Sequence, residues 1–222
     1  MDQKYGEIKK IVRDELSYAA HDLDHVLRVY RLCKTIGSKE ENVDCEVLEV
    51  SALLHDIARG KEDNDLTGKI DHAVLGAEMA QNILESLNYR KITIEKVKHC
   101  IISHRFRSAY KPCSLEAKIL FDADKLDVLG AVGVARSFML AGEHGERIFF
   151  EGSLADYIED NIGENGRIID VSKHSSNIEY EMKLKKIPER LYTSVAKEIA
   201  QSRMAFMDQY FKNMEAEIKG ER

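Results

Sequence analysis

A chain of 222 residues, 44% hydrophobic and 32% charged, is long enough to bury a full core and has the profile of a soluble globular protein rather than a disordered one. Its net charge of −6 argues against a dedicated nucleic-acid binder, and no stretch approaches the roughly 20 apolar residues of a membrane span. The opening Met-Asp-Gln-Lys-Tyr-Gly-Glu lacks an apolar secretory core. Cys33, Cys45, Cys100 and Cys113 form no close pair, so reduced, mostly buried thiols in a cytoplasmic protein are expected.

Tyr5, Ile8, Ile11, Val12 and Leu16 recur at helical spacing, which predicts an amphipathic first helix over 2–18. His21-Asp22-Leu23-Asp24-His25 is crowded with ligand-type side chains and runs into a second helical stripe of Val26, Val29, Tyr30, Cys33 and Ile36, stopped by Gly37. Asp44 is placed to cap a third helix carrying Val47, Val50, Leu54 and Ile57 and ending in His55-Asp56. Arg59-Gly60 breaks it, and the polar, glycine-bearing stretch 60–71 predicts a mobile loop. Asp71 caps a fourth helix from His72 through Leu75, Met79, Ile83, Leu84 and Leu87. Thr93 opens a fifth, with Ile94, Val97 and Ile101 inward and His104 at its end.

A loop with Phe106-Arg107 and Pro112 precedes Ser114, the expected cap of a long helix through Leu115, Ile119, Leu120, Ala123, Leu126 and Leu129. Residues 130–136 are small enough for close helix packing. Residues 142–176 read as irregular, anchored by Phe149, Phe150 and Tyr157, and helical spacing resumes from about 178. No β-type alternation persists, and there is no internal repeat. The expectation is an all-α fold.

A histidine and a carboxylate side by side on an apolar helix are costly to bury without a partner, and a divalent metal takes both donor types together. His25 begins one helix, His55-Asp56 ends another, and Asp122, Asp124 and Asp127 interrupt an apolar third. His25, His55, Asp56 and Asp124 therefore form the proposed ligand set, two imidazoles and two carboxylates, with positions left for water. A lone histidine on an apolar face is more often a satisfied core residue, but three such oddities on three helices weaken that account. The mixed nitrogen and oxygen donors suit Mn²⁺, Fe²⁺, Co²⁺, Ni²⁺, Zn²⁺ or Mg²⁺ without choosing among them. A site role for Asp122 and Asp127 stays open beside that of a solvent-facing carboxylate.

The order His25, His55-Asp56, Asp124 resembles the H…HD…D signature of the HD superfamily of metal-dependent phosphohydrolases. Leu53-Leu54-His55-Asp56-Ile57, His72 with Gly76-Ala77, Ile102-Ser103-His104, and Phe121 to Asp127 with Gly130, Ala131, Gly133, Ala135 and Arg136 are similar to the small YpgQ/YedJ-like HD-domain hydrolases. The resemblance covers roughly residues 5–215 and implies a helical bundle. It implies one HD-type domain over 1–222, with its core at about 20–137 and the segments 142–176 and 178–217 packed on it. It also implies His25, His55, Asp56 and Asp124 as metal ligands. In some branches extra histidines hold a second metal. His72 and His104 are placed to do so or to bind substrate phosphate. Some HD nucleotidases carry an acidic residue three positions after the HD aspartate, and here that position is Arg59, which fits a phosphate grip better.

A dication so held activates water for attack on phosphorus, and phosphoryl transfer needs charge stabilisation more than covalent help. Arg28, Arg59, Lys61, Lys69, Arg105, Arg107 and Lys125 are the cationic candidates, with Arg59 and Lys125 favoured by adjacency to Asp56 and Asp124. Each is by default a solvated surface charge. Asp56, His104 and Asp127 are the catalytic candidates, the last two for general acid or base work. The expected function is a metal-dependent phosphohydrolase cleaving nucleoside triphosphates to monophosphate and pyrophosphate. A 5′-nucleotidase, a phosphodiesterase and a non-catalytic metal-stabilised binding module are the alternatives. The expected partner is a nucleotide or other small phosphate ester, with no nucleic acid or membrane, on a monomer or homodimer.

Overall fold

A computed structural model describes residues 2–16, 23–105, 109–164 and 166–222. His21, Asp22, Phe106 and Arg107, all singled out above, lie outside the described residues. Helices dominate, no strand runs among the described residues, and β-type pairing is limited to the isolated bridges Arg147–Ser175 and Ile162–Ile168. No helix among them is long and apolar enough to cross a membrane.

The chain divides into two compact units. The first comprises Met1–Asp124 with Tyr192–Ala196. It holds α1 (Asp2–Leu16), α2 (Leu23–Gly37), α3 (Cys45–Leu54), α4 (Arg59–Asp63), α5 (His72–Ser86), α6 (Lys91–Ser103) and nearly all of α7 (Leu115–Leu126). Its centre is α3, buried from Val47 to Leu54 on all sides but Glu49 and packed by α1, α2 and α6. That burial explains why α3 is apolar all round, where a surface helix would carry a single apolar stripe. Polar side chains set the helix starts. The Asp44 carboxylate accepts from Val47 N at 3.3 Å, Asp71 from Ala73 N at 2.9 Å, and the Ser114 hydroxyl from Ala117 N at 3.2 Å. Thr93 does not open α6, which begins at Lys91 after an extended Arg90.

The stretch 60–71 is more structured than its composition implies. Arg59 to Asp63 form a short helix, with Arg59 paired to Glu62 and Asp63 one turn on, both at 3.2 Å. The Asp65 carboxylate then accepts from Thr67 N, Thr67 Oγ1, Lys69 N and Ile70 N at 2.6–2.9 Å. These bonds to the charged form hold its pKa down, at about 2. One aspartate thus supplies the local hydrogen bonds that a loop otherwise takes from water.

The second unit comprises Lys125–Leu191 with Lys197–Arg222 and contains α8 (Gly130–His144), α9 (Leu154–Asn161), α10 (Ser176–Met182) and most of α11 (Ser194–Ile218). The long helix read through Leu129 ends instead at Leu126, and α8 begins at Gly130, whose φ of +77° only glycine adopts freely. A side chain at Gly130 would also meet Arg203 Cγ at 2.9 Å. Within the segment read as irregular, Ser153 caps α9, and Tyr157 and Asn161 form a buried network with His174 and Asp170. Of the four thiols Cys33 and Cys100 are buried, whereas Cys45 and Cys113 are exposed, and none is in a disulfide.

Candidate metal centre

Two of the site histidines sit at helix C-termini, where the last carbonyls lack intrahelical donors. His55 caps α3, and its Nδ1 donates to Ala52 O at 2.9 Å. His104 caps α6 in the same way, Nδ1 donating to Ile101 O at 2.5 Å. A carbonyl only accepts, so each Nδ1 carries the proton and each Nε2 presents a lone pair. His72, the first residue of α5, has Nδ1 2.7 Å from Glu62 Oε2, which fixes its Nε2 as a lone pair too. His25, in the first turn of α2, completes the set of imidazoles.

These nitrogens converge in two pairs. His25 Nε2 and His55 Nε2 are 3.3 Å apart, and so are His72 Nε2 and His104 Nε2. Asp56 lies between them. Its Oδ2 is 3.6 Å from His25 Nε2 and 3.7 Å from His55 Nε2, while its Oδ1 is 3.6 Å from His72 Nε2 and 3.5 Å from His104 Nε2. Asp124 Oδ1 adds a donor 3.4 Å from His25 Nε2. All four imidazoles are at least 95% buried.

The donor chemistry fits a cation at each pair. Two atoms each about 2.1 Å from one ion stand about 3.0–3.4 Å apart for octahedral to tetrahedral angles, close to the spacings found. At the His72–His104 pair both facing nitrogens are lone pairs, an arrangement that repels unless a positive centre is shared. Burial drives the His55 pKa down to about 4, against the pull of Asp56, so near neutral pH its imidazole is uncharged and able to ligate. Burial lowers His72 as well. For Asp56 burial favours the neutral acid, but the surrounding His55, His104 and His25 outweigh it and hold the carboxyl well below its usual range.

The remaining predicted residues fall into two groups. Arg59 borders the site, with Nη1 3.5 Å from His72 Nδ1 and 3.2 Å from Glu62. Its Nε, though 3.2 Å from Asp63 Oδ1, is buried without a hydrogen bond. Arg28 is half-buried one turn beyond His25. The others have contacts of their own. Asp127, in the second unit, pairs with Arg136 at 3.6 Å, and Lys125 is half-buried there. Asp122 accepts from Tyr192 N, Thr193 N and Thr193 Oγ1 at 2.7–2.9 Å, tying α7 to the chain that enters α11. Lys61 reaches Glu15 on the surface. Sequence reasoning missed Glu62, which contacts His72, Arg59 and Arg105. The signal available was the three-residue spacing from Arg59.

The profile of the HD domain family matches residues 22–129, which include all four proposed ligands. YpgQ of Bacillus subtilis (strain 168) is 30% identical over 217 residues, covering 96% of this chain and 91% of YpgQ. The chain belongs to the HD family. It is a metal-dependent phosphohydrolase of the HD superfamily. A solved YpgQ structure, a complex with ADP, superposes with a TM-score of 0.72 at 29% identity, covering 97% of this chain and 95% of that one. A predicted HD superfamily hydrolase from an uncultured Thermotogales bacterium gives 0.64 at 30% identity, covering 95% and 91%.

Proposed function

We propose that this HD protein hydrolyses nucleoside triphosphates to monophosphate and pyrophosphate, with His25, His55, Asp56 and Asp124 as ligands of one dication and Asp56, His72 and His104 as ligands of a second. The observation that carries the reading is Asp56, a single buried carboxylate with one oxygen turned to each imidazole pair. The nucleotide class is supported by the ADP bound to YpgQ, a relative of nearly equal length.

In the reaction water adds to the α-phosphorus, the bond from that phosphorus to the αβ-bridging oxygen breaks, and pyrophosphate leaves with the electron pair. A bound dication supplies Lewis acidity at a phosphoryl oxygen and acidifies a coordinated water. The protein's own part is to keep the donors unprotonated and aimed. Ala52 O and Ile101 O hold His55 and His104 with their lone pairs inward, and Asp56 stays ionised. Arg59 is the cation best placed to meet phosphate charge, and its Nε–H is a buried donor with capacity to spare. In this reading His72 and His104 act as metal ligands and do not touch phosphate directly. Asp127, paired with Arg136 at 3.6 Å, is assigned no step in this reading.

The test is to strip the protein of metal, restore Mn²⁺, Co²⁺, Ni²⁺ or Mg²⁺, and assay pyrophosphate and phosphate separately across a nucleotide panel. Pyrophosphate from triphosphates is expected. Phosphate from monophosphates alone would replace the reading with a 5′-nucleotidase, and no product with metal bound would refute nucleotide hydrolysis.

A further inference from the structure

Glu62 is the meeting point of three elements around the second imidazole pair. Its Oε2 is 2.7 Å from His72 Nδ1 and 3.2 Å from Arg59 Nη1, and its Oε1 is 2.9 Å from Arg105 Nη1. Arg105, the residue after His104, is also 2.8 Å from Asp71 Oδ2, and Asp71 caps the helix that His72 begins. The carboxylate thus joins α4, the N-terminus of α5 and the chain leaving α6. Its side chain is only 17% exposed. A carboxylate buried to that degree with three charged or polar partners costs desolvation, and an exposed ion pair of little value does not account for it.

Geometry assigns the cost a purpose. His55 and His104 have their tautomers fixed by carbonyls of their own helices three residues back. His72 stands at a helix N-terminus, where backbone carbonyls are not free to accept, so its Nδ1–H needs an acceptor from elsewhere. Glu62 is that acceptor. We propose that Glu62 is a positioning residue: it holds His72 in the tautomer whose Nε2 lone pair faces His104 Nε2 and Asp56 Oδ1, while Arg59 and Arg105 hold Glu62. The part of this that concerns metal rests on the two-cation reading above; the part that concerns the tautomer does not.

The experiment has two arms that separate these parts. In the first, metal-free protein labelled with ¹⁵N-histidine is examined by long-range ¹H–¹⁵N spectroscopy, the His72 signals being assigned with a His72→Gln variant. The wild type should show Nδ1 protonated. Glu62→Ala should shift His72 toward the Nε2–H form, and Glu62→Gln, which keeps an acceptor oxygen, should retain Nδ1–H. In the second, Mn²⁺ is titrated into each protein and its stoichiometry and affinities are read directly. Loss of an outer carboxylate on a metal-bound histidine weakens metal binding about 10–100-fold. Glu62→Ala should weaken one of two Mn²⁺ sites by that factor and leave the other unchanged, with Glu62→Gln closer to wild type.

Should Glu62→Ala fail to give a wild-type helical circular dichroism spectrum, Glu62→Gln and Glu62→Asp carry both arms, Asp withdrawing the acceptor by one methylene. A His72 tautomer unchanged in Ala, or in Asp where Ala does not fold, overturns the positioning role. One Mn²⁺ per wild-type chain would instead remove the two-cation reading, leaving the tautomer arm to decide Glu62 alone. Two Mn²⁺ sites both indifferent to Glu62, with the tautomer shifted, would overturn its role toward metal.

Discussion

Asp122 and Asp124 lie two residues apart on one helix, and the structure gives them opposite work. Asp122 is fully buried and receives three hydrogen bonds, from Tyr192 N at 2.9 Å, Thr193 N at 2.7 Å and Thr193 Oγ1 at 2.7 Å. Asp122→Ala strands two backbone N–H groups and a hydroxyl. Each buried donor left unpaired costs about 1–3 kcal/mol, so the substitution should lower unfolding stability by about 3–5 kcal/mol once some water enters the gap. That is a large part of the 5–15 kcal/mol typical of a domain. Asp124, by contrast, faces His25 Nε2, and Asp124→Ala should cost metal and turnover with a smaller loss of stability. The assay is urea unfolding of metal-free protein, paired with Mn²⁺ content and turnover per folded molecule at a temperature where both variants are folded. If Asp122→Ala lost metal at unchanged stability, while Asp124→Ala unfolded early and kept its metal, the division between the two carboxylates would be wrong.

His55→Ala should abolish Mn²⁺ binding at the His25–His55 pair and turnover while preserving the helical circular dichroism spectrum; wild-type turnover would discard the proposed centre. Acid should destabilise the metal-free protein. The His55 pKa falls from 6.5 to about 4 on folding, so below 6.5 the unfolded chain takes a proton that the folded one refuses. His55 alone then removes up to about 3 kcal/mol between pH 6.5 and 4, and denaturant midpoints across that window should fall less steeply in His55→Ala. Arg59→Ala should raise the KM for a triphosphate by about 10–100-fold, the worth of a charge-assisted hydrogen bond, with Mn²⁺ content held; an unchanged KM would deny Arg59 its phosphate role.

How much of this was legible beforehand follows from the range of the forces involved. Helix starts are local, and the side chains of Asp44, Asp71 and Ser114 announce them within three residues. The chemistry of the centre was also readable, because a buried His-Asp pair has few inexpensive partners and its residue types are retained wherever the chain goes. The convergence was not readable. Nothing in the spacing of His25, His55, Asp56, His72 and His104 states that Asp56 would divide its oxygens between two imidazole pairs, since that depends on how α2, α3, α5 and α6 pack. Glu62 and Asp65 show the opposite error. In a polar, glycine-bearing stretch they read as solvated loop charges, yet one holds a site histidine and the other builds the turn that follows. Composition reports a residue's average surroundings, and both carboxylates depart from that average through partners up to 43 positions away, the reach from Glu62 to Arg105. A charged residue shortly after a ligand pair therefore merits testing as a support for the site before it is assigned to solvent.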